Sequence, residues 1–268
     1  MRCMTNIDNY IMKAIKVLSN VKLAKDTYML EGMFLSNIYE KPNPFSFFMV
    51  WIPRVDEIPL SIADFDEGKI RFLYKIKGEG TKALSDHKES IIGVRGPFGK
   101  GIKIKPAIGS RWLIIAGGIG IAPIPYLVKT WKTYEAQFDI LWGVKTVEEI
   151  FDIKTFFPYM ERSRIIITTE DCHYKNGYCG LITDVLKHMN VKDYDGIIAV
   201  GPNSMLKTIC LDLYEMNPYI SLETIVKCGI GICGSCYIKS SDKLLCIDGP
   251  IFRCSEVIEY LRTNSLNS

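Results

Sequence analysis

Trp112-Leu113-Ile114-Ile115-Ala116-Gly117-Gly118-Ile119-Gly120-Ile121-Ala122-Pro123 is the stretch that decides the fold. Trp112 to Ala116 is an unbroken apolar run and reads as a strand buried on both faces. Glycines at 117, 118 and 120 follow, and Ile124 to Tyr134 then carries helical spacing. Strand, glycine turn and helix in that order mark the place where an open α/β sheet receives a nucleotide. Without Cβ atoms the backbone can approach a diphosphate, and the helix start offers N–H groups and the positive end of its dipole. Pro123 suits a first helical turn. The turn departs from the G-x-G-x-x-G fingerprint, so a tight connection with no ligand accounts for it as well.

Downstream, strands and helices alternate. Phe138–Trp142, Arg164–Thr169 and Gly196–Val200 read as strands. Helices are expected over Val147–Phe157, Ile182–His188 and Ser204–Tyr214. This alternation means parallel βαβ units and a doubly wound domain, placed at 108–220. Gly201-Pro202-Asn203-Ser204-Met205 forms a second strand-end turn, so two strand ends can converge on one site. Read without a ligand, Ser204 is the N-cap of the helix that follows.

Upstream the pattern is β. Ala14–Leu18, Tyr28–Leu35, Phe45–Ile52, Leu60–Phe65, Ile70–Ile76 and Ser90–Val94 are short apolar or alternating runs. Asn43-Pro44, Glu67-Gly68 and the glycines at 78 and 80 punctuate them. Six such strands predict a small antiparallel barrel over 1–107. A short helix follows Gly80, with Thr81 as its cap.

Composition excludes other classes. The 268 residues are 48% hydrophobic and 24% charged, which is globular. Lys+Arg 33 against Asp+Glu 30 leaves a formal +3, and no basic stripe argues for nucleic acid. The longest uncharged run, Trp112–Val128, is interrupted by glycines and by Pro123 and Pro125, so no membrane span is expected. The first ten residues carry no signal-peptide core, and the cytoplasm is the expected compartment.

Nine cysteines in such a compartment are not expected to form a disulfide framework. Cys228, Cys233, Cys236, Cys246 and Cys254 crowd the C-terminal end and set off a module at 221–268. Cys228, Cys233, Cys236 and Cys246 follow the spacing C-x4-C-x2-C-x9-C, whose first three members match the plant-type two-iron pattern. Gly229, Gly231 and Gly234 clear side chains from the loop, so that backbone N–H groups can meet thiolates and bridging sulfides. The bland reading is structural zinc, but zinc sites usually pair two short C-x-x-C knuckles and only one is present. For the fourth ligand, Cys246 is preferred over Cys254 because a hairpin from Tyr237 to Leu245 would return it to the loop. Cys254 then reads as a small buried residue. Cys3, Cys172, Cys179 and Cys210 read as free, inert thiols, with Cys172 and Cys179 flanking a loop that can approach a ligand. His87, His173 and His188 read as surface or loop residues.

Barrel, nucleotide domain and cysteine loop in this order resemble the ferredoxin reductase superfamily. Within it the chain resembles the electron transfer subunits of dihydroorotate dehydrogenase. The resemblance runs from about residue 12 to 254. It is carried most specifically by the cysteine segment through Cys246-Ile247-Asp248-Gly249-Pro250-Ile251-Phe252 and by Gly180-Leu181-Ile182-Thr183-Asp184-Val185-Leu186. It implies FAD in the barrel. The flavin motif R-P-x-S falls on Ile58-Pro59-Leu60-Ser61, with Ile58 in place of the arginine. Leu73, Tyr74 and Lys75 stand on the next flavin-facing strand, Lys75 where an arginine is usual, and Gly80-Thr81 would approach the flavin phosphates. Gly96-Pro97-Phe98-Gly99 matches the turn that closes the barrel. NAD would meet Gly117, Gly118, Gly120, Gly201, Pro202 and Met205. Glu170-Asp171 is the family's acidic pair, followed here by Cys172 instead of glycine, and Lys145 is either a contact for a 2′-phosphate or a solvated charge.

The resemblance further implies a subunit in pyrimidine biosynthesis that moves electrons and leaves oxidation of dihydroorotate to an FMN-containing catalytic partner, the two assembling as a heterotetramer. A hydride would pass to FMN, single electrons through a 2Fe-2S cluster to FAD, and a hydride onward to NAD or another acceptor. The chain's part is to position and tune cofactors. No general acid or base is required of it. Flavoprotein subunits of hydrogenases, sulfide dehydrogenases and NADH–ferredoxin reductases share the same three parts and form the alternative.

Overall fold

The computed structural model describes residues 7–36 and 41–264. Cys3 lies outside them. The N-terminal half is a barrel of β1 (Lys13–Ala24), β2 (Thr27–Phe34), β3 (Phe47–Ile52), β4 (Asp56–Asp66), β5 (Lys69–Lys75) and, after helix α1 (Glu79–Asp86), β6 (Ile91–Phe98). The strands close in the order β1-β2-β5-β4-β3-β6, every pair antiparallel. Alternation explains the closure: Ile15, Val17, Leu30, Phe48, Val50, Ile62, Phe72 and Val94 fill the interior. β1 runs further than its apolar run indicates. Its polar second half stays paired with β2 beyond a shift between Val17 and Ser19. Asn20 in that half is buried, donating to the carbonyl of Leu84 at 2.7 Å and accepting from the Tyr74 hydroxyl at 2.9 Å.

The second half contains β7 (Arg111–Gly117), α2 (Ile124–Trp131), β8 (Gln137–Val144), α3 (Ile153–Phe156), β9 (Arg164–Thr169), β10 (Tyr178–Cys179), α4 (Ile182–Leu186), β11 (Gly196–Val200), α5 (Asn203–Asp212) and β12 (Tyr219–Ser221). These strands run parallel in the order β10-β9-β8-β7-β11-β12. Leu113 and Ile115 of β7 pack on one face with Leu206 and Ile209 of α5. Trp112, Ile114 and Ala116 pack on the other with Leu127 and Trp131 of α2. Burial on both faces is why β7 reads as a continuous apolar run.

The C-terminal part adds a hairpin, β13 (Tyr237–Ile238) paired with β14 (Lys243–Leu244), then α6 (Leu245–Asp248), β15 (Ile251–Arg253) and α7 (Cys254–Asn264). β15 joins the edge of the parallel sheet, antiparallel to β12. Phe47, Met49 and Phe98, which point out of the barrel, share one core with Val226, Leu245 and Cys246. No helix among the described residues is long and apolar enough to cross a membrane.

Several local expectations are corrected. Val147–Phe157 is not one helix: a short 3-10 turn at Val147–Glu149 precedes α3, which Asp152 starts by accepting from the amide of Lys154 at 3.1 Å. Pro158 comes one residue after its end, past the C-cap Phe157, and limits the element to one turn. α5 starts at Asn203 with Pro202 in the cap position, so Ser204 lies inside the helix. Gly78, not Thr81, is the N-cap of α1. The Thr81 hydroxyl reaches back from the first turn to the amides of Lys77 and Gly78. Three cysteines read as free thiols, and Cys254, read as a small buried residue, are paired: Cys172 with Cys179, and Cys210 with Cys254. The second bond ties α5 to α7 in the core, and the first closes the turn between β9 and β10.

Candidate functional site

All three parts of the chain wall one cleft. The barrel contributes Pro59, Leu60 and Ser61 from β4, Leu73, Tyr74 and Lys75 from β5, and Thr81 from α1. The turn after β7 contributes Ile119, Gly120 and Pro123. The C-terminal part contributes Leu222, Val226, Leu245 and Pro250. The fold thus gathers the three barrel segments singled out in the sequence, although 22 positions separate Pro59 from Thr81. Antiparallel pairing of β4 with β5, followed directly by α1, brings them together.

The side chains there are already engaged. Lys75 pairs with Glu149 at 2.9 Å, so part of its charge is answered by the protein. The Tyr74 hydroxyl is committed to Asn20, and burial pushes its ionisation well above the ordinary tyrosine range despite that hydrogen bond. A Cβ on Gly80 would stand 2.8 Å from the Ile58 side chain, so this glycine lets α1 close onto β4. Ile58 fills the space against α1. The wall formed by residues 221–226 carries no sequence signal beyond a few apolar residues.

The two glycine turns meet at the switch point of the sheet, where β7 and β11 lie side by side. Their glycines divide into two kinds. Cβ atoms on Gly117 and Gly201 would strike Met205 at 2.8 and 2.7 Å, and one on Gly120 would strike the Val200 carbonyl at 2.6 Å. Those three are explained by close packing. Gly118 has φ +54 and open space where its Cβ would be, while its carbonyl accepts from the Trp142 indole at 2.9 Å. It is the glycine of the turn that leaves backbone open to a ligand. In the adjoining loop Asp171 accepts from the amides of Val147 and His173, which hold its carboxyl below the ordinary range. Lys145 is exposed, and so are His173 and His188, while His87 sits in a loop beside Ser90.

The cysteines of the C-terminal loop come as two pairs. Cys236 and Cys246 are buried, with their sulfurs 3.2 Å apart. Cys228 Sγ accepts from the amide of Cys233 at 3.5 Å. The hairpin of β13 and β14 returns Cys246 to the loop, whereas Cys254 is turned away and bonded to Cys210. Gly229, Gly231 and Gly234 all have positive φ, between +72 and +77. Cβ atoms on Gly229 and Gly231 would stand 2.9 Å from Phe98 and 2.8 Å from Ile247. A hydrogen bond from Ser235 draws the Cys233 thiol down to about 6, and one from Cys246 does the same for Cys236. The Cys246 thiol is pushed up instead, by its hydrogen bond to Cys236 and by burial, so each sulfur pair holds one thiol drawn toward the thiolate. Four cysteines set two and two in a glycine loop fit a pair of irons with two sulfurs each. Leu245 lines the cleft and its neighbour Cys246 belongs to this cluster of thiols, so the two sites adjoin.

Comparison with known proteins agrees with this geometry. Residues 223–258 match the iron–sulfur cluster binding domain of dihydroorotate dehydrogenase B. The dihydroorotate dehydrogenase B (NAD(+)) electron transfer subunit of Caldanaerobacter subterraneus is 36% identical over 92% of this chain and 98% of its own length. The probable counterpart from Pyrococcus furiosus is 38% identical over 81% of each chain. Among solved structures, one of an NADH-dependent reduced ferredoxin–NADP oxidoreductase aligns with a TM-score of 0.80 and 27% identity, over 95% of this chain and 93% of that one. With this identity over most of both chains, and with the cysteine domain matched, the chain belongs to the family of dihydroorotate dehydrogenase B electron transfer subunits.

Proposed function

We propose that this chain carries electrons between the catalytic subunit of a dihydroorotate dehydrogenase complex and NAD. The observation that carries the reading is the adjacency of Leu245, in the wall of the cleft, to Cys246, in the thiol cluster. Pro59, Leu60, Ser61, Leu73, Tyr74, Lys75, Gly80 and Thr81 would hold FAD. Cys228, Cys233, Cys236 and Cys246 would hold the 2Fe-2S cluster. Gly117, Gly118, Gly120, Gly201, Pro202 and Met205 would form the nicotinamide-nucleotide side. A bound flavin exchanges a hydride with nicotinamide and single electrons with an iron–sulfur centre. The protein's own work is to seat these groups side by side and keep water from the buried thiols Cys236 and Cys246.

The division of labour follows the chain: 1–107 for FAD, 108–220 for the nucleotide and 221–268 for the cluster, with β15 of the last segment joined to the sheet of the second and α7 tied to its α5. Dihydroorotate would be oxidised on an FMN-containing partner in a heterotetramer. Cys233 is exposed and its neighbour Ile232 is 81% exposed, so the cluster end of the molecule is open to such a partner. Dihydroorotate and NAD(+) are small soluble molecules, and the cytoplasm is the compartment we assign.

The likeness to an NADH-dependent ferredoxin–NADP oxidoreductase favours a second reading, electron transfer within another flavoprotein complex. Co-purification with flavin and iron analysis, followed by dihydroorotate-dependent reduction of NAD, separates the two. A coloured complex that reduces NAD with dihydroorotate supports the first reading. A coloured complex inert to dihydroorotate but active with ferredoxin supports the second.

A further inference from the structure

We propose that Arg95 is a positioning residue that locks the cluster loop in register with the flavin-facing strand. The inference deepens the proposed function and rests on its placement of cluster and flavin. Arg95 lies on β6 opposite Met49 of β3, and Met49 lies opposite Pro59 of β4 on its other side. The guanidinium reaches across Met49 to Glu57, two residues before Pro59. Nε donates to Oε1 and Nη2 to Oε2, both at 2.7 Å. The third arm of the fork, Nη1, donates to the carbonyl of Cys228 at 3.1 Å. Arg95 and Glu57 are only 16% and 23% exposed. The guanidinium also stands 5.6 Å from the centroid of the Phe98 ring, the ring against which Gly229 is pressed.

One side chain therefore joins the strand that carries Pro59 and Ser61 to the peptide group of the first cysteine. Holding that carbonyl fixes the peptide plane between Cys228 and Gly229, and with it the entry of the loop. Arginine suits this because its planar fork offers donors in fixed directions, whereas lysine is a point charge that cannot span both partners. The pair also sets charge beside the cluster. A positive neighbour favours the reduced, more negative state of an iron–sulfur centre, and an unanswered carboxylate disfavours it.

The test uses the full chain and its Arg95→Lys, Arg95→Gln and Glu57→Gln variants. Readouts are iron and flavin content, the spectrum of the reduced cluster, its midpoint potential and its rate of reduction by NADH. Arg95→Lys is expected to keep both cofactors and nearly the parental potential, yet to slow cluster reduction about tenfold, because the charge stays and the geometry goes. Arg95→Gln is expected to lower the midpoint and Glu57→Gln to raise it. If Arg95→Gln fails to fold, the other two variants carry the test. Parental rate in Arg95→Lys together with a parental midpoint in Glu57→Gln would overturn the assignment. Absence of any cluster spectrum in the unaltered chain would instead overturn the ligand set on which it rests.

Discussion

The amide of Gly99 donates to the carbonyl of Cys246 at 2.9 Å. Gly99 follows the last barrel strand, and Cys246 is the fourth cysteine of the C-terminal loop. Barrel and thiol cluster are therefore joined by backbone, which does not depend on any side chain. Gly99 has φ +74, and a Cβ there would lie 2.6 Å from the carbonyl oxygen of Gly249. Only glycine satisfies both the turn and the approach.

Gly99→Ala should therefore push the Cys246 segment off the barrel. A stability loss of about 1–3 kcal/mol is expected from the forced contact and the disfavoured φ. Iron retention should fall with it. Denaturant unfolding and iron analysis check this, and an unchanged iron content would contradict it.

Cys246→Ser should abolish or bleach the iron–sulfur absorption, since it removes one thiol of the buried pair with Cys236. Cys254→Ser breaks the bond to Cys210 and should lower stability, yet leave the spectrum intact. The visible spectrum of each purified variant decides this, and the reverse outcome would assign the fourth ligand to Cys254.

The glycine turn offers a paired test. Gly120→Ala puts a Cβ 2.6 Å from the Val200 carbonyl and should cost about 1–3 kcal/mol of stability. Gly118→Ala meets no atom, so its cost is that of a non-glycine residue at positive φ, about 1 kcal/mol. Its larger effect should be on nucleotide affinity. Titration with NADH, beside thermal unfolding of both variants, distinguishes packing from ligand contact. Parental affinity in Gly118→Ala would remove this turn from the nucleotide site.

Glu256 supplies a pH-dependent tie between α7 and the hairpin. Its carboxylate pairs with Lys243 and accepts from the amide of Arg253 at 2.8 Å. Burial alone would push the acid up, but these partners hold it below the ordinary glutamate range. Because the folded value is depressed, the stabilisation is present above the ordinary value of about 4.3 and fades as pH falls through the folded one. Glu256→Gln should melt lower than the parent at neutral pH, and the gap should close in acid. A gap constant across pH would show that the charge of Glu256 is not what stabilises this contact.

Much of this was legible in the residues themselves. Ile15, Val17, Phe48 and Val50 alternate because one face of each strand is buried, so the barrel announces itself by period. β7 is apolar throughout because helices cover both sheet faces. The cysteine spacing exposes the two-iron loop because its ligands are local in sequence. The missed features depend on distance in space. Cys172–Cys179 and Cys210–Cys254 carry no spacing signal, and the second pair meets only because α5 and α7 pack together. Glu57 and Arg95 lie on β4 and β6, which become neighbours of β3 only when the barrel closes. The short turn at Val147–Glu149 and the one-turn α3 were hidden by helix-forming residues cut short by Pro158.

The most direct measurement is dihydroorotate-dependent NADH formation by the assembled complex carrying Cys246→Ser, with flavin content and NADH-to-dye activity recorded beside it. Loss of NADH formation with retained flavin and dye reduction is predicted, because the thiol cluster links the partner to the flavin cleft. NADH formation at the parental rate in a complex without cluster absorption would contradict the account.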